Sequence, residues 1–193
     1  MMPKKAKETY VAFLRGINVG GHHKVPMSEL KKEFRKLGFE NIITLLNSGN
    51  IIFDSTNENS SSVENQISTQ LEKAFGFPLP TIVRTSEFIG DLLINNPFID
   101  IERTKDIRLY VSFLKENNET DLKLPWKSLD NSYKIIEKRD QTIISVLDLS
   151  VSKTPKAMEA FEQFYGKENT TRNWNTIGRI GKKLYPNTNP ERG

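Results

Sequence analysis

The sequence contains no cysteine, which removes disulfides, thiolate metal ligands and thiol nucleophiles at once. Histidine is almost as scarce: the chain has 2, and they are the adjacent His22 and His23. Neighbours in a chain seldom converge on one metal or one proton, so zinc sites of the HExxH kind and Cys–His catalysis are excluded and no metal is expected. Long apolar runs are missing too. Nothing approaches the roughly 20 residues of a membrane helix. The stretch over residues 10–14, after a basic N-terminus, is too short for a signal-peptide core and is followed by Arg15. A cytoplasmic protein without a membrane partner is the expectation. Asn-x-Ser/Thr triplets at Asn59, Asn118 and Asn169 read as chance in an Asn-rich chain.

What is present is a polar surface around enough apolar residue to build a core. The 193 residues are 36% hydrophobic and 27% charged, with 28 Lys and Arg against 24 Asp and Glu. A net charge of +4 permits contact with nucleic acid or anionic metabolites. The acids interleave with the bases and no long basic tract exists, so the electrostatic argument for nucleic acid is mild.

The pattern predicts a strand over residues 10–14, a glycine-rich bend, and a helix over 27–37 with Met27, Leu30, Phe34 and Leu37 on one face. Gly38, followed by apolar Phe39, suits a left-handed cap with its hydrophobic contact. Two strand-like runs over 41–46 and 51–54 flank Asn47-Ser48-Gly49-Asn50, a composition for a tight hairpin needing positive φ. Hydroxyls in residues 55–62 then cap a helix over 63–75, which Gly76 and Pro78 end before a strand over 81–84. The order βαββαβ is the ferredoxin-like unit. After a connecting helix over 86–95, the remainder begins the same order again. It has strands over 107–114, 133–138 and 142–149, a partly helical region over 120–129 broken by Pro125, a helix over 154–165, a closing strand over 170–173 and a last helix over 175–184. The expected architecture is α+β: two ferredoxin-like units in tandem with a C-terminal helix. Residues 1–86 form the first, 87–104 a connecting helix and linker, and 105–193 the second.

In a βαββαβ sheet the strands lie in the order 4-1-3-2. The bend over residues 15–24, the hairpin at 47–50 and the turn at 76–78 should therefore meet at one end of the sheet. Arg15 and Lys24 would bring charge there, Gly16, Gly20 and Gly21 backbone N–H donors, and Asn18, Asn47, Ser48 and Asn50 orientation. The bend is not a P-loop: His22 and His23 stand where Lys and Ser/Thr must follow the second glycine, and G-x-G-x-x-G is absent. An RNA-recognition sheet is disfavoured because Asn50-Ile51-Ile52-Phe53 lacks the glycine-aromatic run that stacks bases. Arg172, Trp174 and Asn175 offer a stacking face beside amide donors and acceptors, suited to a planar or phosphorylated ligand. The alternative is that Trp174 anchors the last helix while Asn175 caps it.

Taken together, Leu14-Arg15-Gly16-Ile17-Asn18-Val19-Gly20-Gly21, Lys24-Val25-Pro26-Met27, the run from Asn47 to Phe53 and Thr171-Arg172-Asn173-Trp174-Asn175-Thr176 resemble the bacterial domain-of-unknown-function family 1697. The resemblance covers almost the whole chain. It implies two ferredoxin-like units in sequence, no established activity and no assigned catalytic residues. His22 and His23 depart from the smaller or more polar residues of that loop, so a histidine mechanism would not extend to the family.

The reading that follows is a phosphate- or carboxylate-bearing ligand near the interface of the two units. Arg15, Gly16, Asn18, Gly20, Gly21, Lys24, Asn47, Ser48 and Asn50 form one wall and Arg172, Trp174 and Asn175 the other. A nucleic-acid-binding protein using a basic surface, and an interaction module whose motifs only fold and pack, are the competing classes. The sequence names no cofactor, catalytic residue or oligomeric state.

Overall fold

The structure, a computed structural model, describes residues 6–20 and 23–187. Among these are nine strands and five helices: β1 (Glu8–Leu14), α1 (Met27–Lys36), β2 (Glu40–Leu45), β3 (Asn50–Ser55), α2 (Ser60–Phe75), β4 (Thr81–Thr85), α3 (Ser86–Ile94), β5 (Ile107–Leu114), β6 (Trp126–Lys127), β7 (Tyr133–Arg139), β8 (Thr142–Asp148), α4 (Thr154–Tyr165), β9 (Asn169–Asn173) and α5 (Trp174–Leu184). The strands form two antiparallel sheets, ordered β2-β3-β1-β4 and β6-β7-β8-β5-β9. The chain divides into one unit of residues 1–91 with 180–193 and a second of residues 92–179.

In the first unit β1 is central and runs antiparallel to both β3 and β4. Alternation sends Tyr10, Ala12 and Leu14 with Ile51, Phe53 and Val83 toward α1 and α2, where Leu30, Phe34, Val63, Ile67 and Leu71 complete the core. Fully burying each large apolar side chain contributes about 1.5–3 kcal/mol. The helix ends follow their local chemistry. Gly38, at φ 80°, donates to the Arg35 carbonyl at 2.9 Å and Phe39 N donates to the Phe34 carbonyl at 3.3 Å, while the Phe34 and Phe39 rings meet edge to face at 5.8 Å. That is a Schellman stop, made possible by a glycine in the left-handed region. The expected hydroxyl cap of α2 is instead Asn59, whose Oδ1 accepts from Ser62 N at 2.8 Å. A carbonyl oxygen on a short side chain does the same work.

In the second unit α4 covers its sheet, burying Tyr110, Leu114, Tyr133, Ile135, Ile143 and Leu147 against Ala157, Phe161 and Tyr165. The partly helical region expected over residues 120–129 is absent: the chain between β5 and β7 is extended, with only the two-residue β6 on the sheet edge. The cause is the spacing of its apolar residues. Leu122, Leu124 and Trp126 recur at every second position and all three pack on the core, the repeat of a strand, whereas a helix needs intervals of three and four. Pro125 also removes a helical N–H.

The central strands of the two sheets, β1 and β5, match in sequence and register. Tyr10-Val11-Ala12-Phe13-Leu14 in β1 recurs in β5 as Tyr110-Val111-Ser112-Phe113-Leu114. Val11 lies opposite Ile52 and Arg84, and Val111 opposite Ile144 and Arg172. Beyond each last strand a helix begins with no linker, and the run Arg84-x-x-x-x-Ile89-Gly90 recurs as Arg172-x-x-x-x-Ile177-Gly178. Both isoleucines are fully buried.

Candidate functional site

Three bends converge at one end of the first sheet. Leu14 N donates to the Gly49 carbonyl at 2.8 Å and Arg15 N to the Pro80 carbonyl at 2.9 Å, fixing the start of the glycine bend to the β2–β3 hairpin and to the lead-in of β4. Asn18 closes the bend from within. Its Nδ2 donates to the Val25 and Asn47 carbonyls at 3.0 and 2.9 Å, and its Oδ1 accepts from Val25 N at 2.9 Å. The backbone adds Asn18 N to the His23 carbonyl at 3.2 Å, and the His23 imidazole stacks on Phe77 with centroids 4.4 Å apart. Residues 15–20, 23–24, 47–50 and 76–80 thus share one rim.

The predicted residues divide by role within that rim. Arg15 is half-buried, while Gly16, Gly20, Lys24, Asn47 and Ser48 are exposed. Gly16 and Gly20 have φ of 73° and 61°, and open space stands where a Cβ would project from either. Asn18 spends its amide on the bend and holds it shut. Asn50 is fully buried and donates to the Leu45 carbonyl at 3.3 Å and to Ser48 Oγ at 2.9 Å, so it is a strut beneath the hairpin. The positive φ angles of the hairpin fall on Leu46 and Gly49, at 57° and 71°, and not on its asparagines. Gly49 is obligatory: a Cβ there would lie 2.7 Å from Leu14 Cβ. Gly21 and His22 lie outside the described residues.

Arg172, Trp174 and Asn175 belong to the second unit. Trp174 is 7% exposed and meets the Phe98 ring edge to face at 5.2 Å, so it packs rather than offering an open stacking face. Asn173, not Asn175, receives the first turn of α5: its Oδ1 accepts from Asn175 N at 2.9 Å. Arg172 Nη1 donates to Thr170 Oγ1 at 2.7 Å and to the Thr171 carbonyl at 3.0 Å, and burial draws its guanidinium down to about 10. Its counterpart Arg84 donates to the Val83 carbonyl at 2.8 Å. Burial lowers that guanidinium too, with the Glu64 carboxylate opposing the shift. Glu64 in turn accepts from Val83 N at 2.9 Å, which ties α2 to β4.

Two open surface depressions, one over residues 56–59 and one between the end of α1 and α2, are lined by no residue of the rim. Among the described residues no group of three or more His, Cys, Asp or Glu could hold a metal ion, and no helix is long and apolar enough to cross a membrane.

A family model described as "Protein of unknown function (DUF1697)" matches residues 7–143. The chain belongs to the DUF1697 family. The match spans all of the first-unit rim and stops before the Arg172 motif. A solved structure, the conserved bacterial protein SP0830 from Streptococcus pneumoniae, is similar at 24% identity with a TM-score of 0.67, covering 93% of this chain and 99% of that one. That likeness carries the fold alone. Comparison with the curated proteins finds no match. For this DUF1697 chain, sequence reasoning placed the turn at 76–78 on the rim but missed the stacking of Phe77 on His23 and the part played by the Pro80 carbonyl. Their signal was the Gly76-Phe77-Pro78 turn, whose aromatic residue has an adjacent imidazole as partner once topology brings the bends together.

Proposed function

We propose that this protein binds a small phosphate- or carboxylate-bearing ligand at the glycine bend of the first unit. Arg15 and Lys24 supply positive charge, and the backbone around Gly16 and Gly20 supplies N–H groups that no Cβ obstructs. Ser48 adds a hydroxyl, while Asn18 and Asn50 hold the frame rather than touch the ligand. The observation that carries the reading is the pinning of three separate bends into one rim by Asn18 and the Leu14, Arg15 and Asn18 backbone bonds. Backbone N–H groups held in place beside cations bind anions at a reduced ordering cost. The proposal rests on first-unit residues alone, and a cytoplasmic location suits such a ligand. The matched strand registers of the two sheets also support two ferredoxin-like copies, the second with its first helix replaced by extended chain.

A thermal-shift series with inorganic phosphate, nucleotides, sugar phosphates and short oligonucleotides tests it. Ligand at about 100 times its Kd stabilises the native state by about 2.7 kcal/mol, and a folded Arg15→Ala/Lys24→Ala variant should lose that gain. No shift across the series, or an equal shift in the double variant, overturns the reading. Binding only by oligonucleotides, weakening steeply with salt, would transfer the assignment to nucleic acid.

A further inference from the structure

The extended chain after β5 lies over the second unit in an unusual way. Residues 115–119 are exposed, and along 121–129 every second residue from Leu122 onward is turned in. Few bonds tie this segment to what it covers. Lys115 N donates to the Glu168 carbonyl at 3.0 Å, Asn118 Nδ2 donates to the Tyr165 carbonyl at 3.0 Å, Lys138 Nζ donates to the Asn118 carbonyl at 2.7 Å and lies 3.8 Å from Glu119, and β6 adds a two-residue ladder. Its aromatic anchor is Trp126, half-buried, whose indole meets Phe164 edge to face at 4.9 Å and Tyr133 at 6.4 Å.

Beneath that anchor the core is not apolar. Tyr133 is 1% exposed and Ser145 fully buried, and neither the Tyr133 hydroxyl nor Ser145 Oγ has a hydrogen-bond partner. Register puts the two on one face: Ser145 is opposite Ile135, one pleat from Tyr133. Burial pushes the Tyr133 phenol well above its ordinary value, and the Ser145 hydroxyl beside it, near but outside hydrogen-bond geometry, opposes the shift; the phenol remains neutral. A buried hydroxyl left without a partner carries a desolvation penalty. Such groups are uncommon in native interiors.

We propose that residues 115–127 are a displaceable strap over a binding site for a small planar aromatic molecule bearing a hydroxyl or N–H group, with the Trp126 indole as its resident plug. The indole itself sets the size and flatness of the occupant, Phe164 and Tyr133 supply the ring contacts, and the Tyr133 and Ser145 hydroxyls favour a polar edge over a hydrocarbon one. The weak tether makes the exchange accessible: apparent affinity scales with the fraction of molecules whose strap is open.

The test uses the full chain carrying Trp174→Phe, which leaves Trp126 as the sole tryptophan, with p-cresol and toluene as probes. p-Cresol should move the Trp126 emission to the red and raise its quenching by acrylamide, and toluene should bind several-fold more weakly. Tyr133→Phe should erase that preference. Lys138→Ala, which loosens the strap and leaves the site intact, should tighten apparent p-cresol binding about three- to tenfold, and Leu122→Ala serves the same purpose if that variant fails to fold. Trp126 emission that p-cresol leaves unmoved, binding without any change in Trp126, or an affinity indifferent to both loosening variants overturns the proposal.

Discussion

Leu14 and Leu114 end matching strands in matching hydrogen bonds, and the chain then does two different things. Leu14 N reaches the Gly49 carbonyl and Leu114 N the Gln141 carbonyl, each at 2.8 Å. The next residues, Arg15 and Lys115, reach Pro80 and Glu168 at 2.9 and 3.0 Å. From Arg15 the first unit makes the glycine bend and α1. From Lys115 the second makes the strap. The strand frame therefore does not dictate what covers it. The interval between apolar residues decides: Met27, Leu30, Phe34 and Leu37 wind into a helix, while Leu122, Leu124 and Trp126 lie flat. The candidate anion rim and the strap follow matching strands, β1 and β5, at the same position in the frame.

Substitutions at matched positions sharpen this comparison. The largest difference is expected in the hairpins. Gly49→Ala places a Cβ 2.7 Å from Leu14 Cβ at a φ of 71° and should cost about 2–4 kcal/mol in urea unfolding. Gln141→Ala, whose carbonyl plays the same part, should stay within about 0.5 kcal/mol. A comparable loss at both sites would mean that the two hairpins are equally constrained. Next come the repeated helix glycines. A Cβ on Gly90 meets the Tyr185 hydroxyl at 2.9 Å, whereas one on Gly178 meets nothing within 4 Å. Gly90→Ala should destabilise by about 1–2 kcal/mol, and Gly178→Ala should stabilise by about 0.5–1 kcal/mol through helix propensity. Calorimetric melting of the pair should move in opposite directions.

The smallest effect is electrostatic and confined to the second unit. Asp130 accepts from Ser128 Oγ, Ser132 N and Ser132 Oγ and pairs with Lys156 at 2.9 Å. The two serine hydroxyls, then Lys156, hold its carboxyl well below the usual carboxylate range. A depressed carboxylate contributes stability that is present above its unfolded pKa and lost as pH falls through the folded one. Asp130→Asn should therefore flatten the decline in stability on acidifying below about pH 4. An identical acid limb in both proteins would show that this turn carries no linkage.

Much of the first unit was legible because its signals are local and agree with one another. The α1 face, the glycine stop before Phe39 and the convergence of three bends all follow from spacing plus one topological rule. The strap was read as partly helical because charge and polarity there carry no period. Its apolar pattern shows only when Leu122, Leu124 and Trp126 are taken at interval two. The repeated element order is legible in the sequence, whereas the residue-by-residue match of β1 with β5 is hidden because the segments between the matched strands differ in length and content. At the candidate site, the positions of Arg15, Asn47 and Ser48 on one rim were foreseen. The internal duty of Asn18 was not, since an asparagine that holds a loop and one that holds a ligand have the same formula. For Trp174, burial against Phe98 could not be separated from exposure without coordinates.

The Tyr185 hydroxyl, which donates to the Ser86 carbonyl at 2.8 Å, has a consequence for biosynthesis. Residues 180–193 group with residues 1–91, so the first-made unit waits for a piece that emerges only after the entire second unit has been translated. A nascent chain halted at residue 179 would carry α3 without its tyrosine latch. The ribosome thus delivers the middle of this protein before it can finish the beginning.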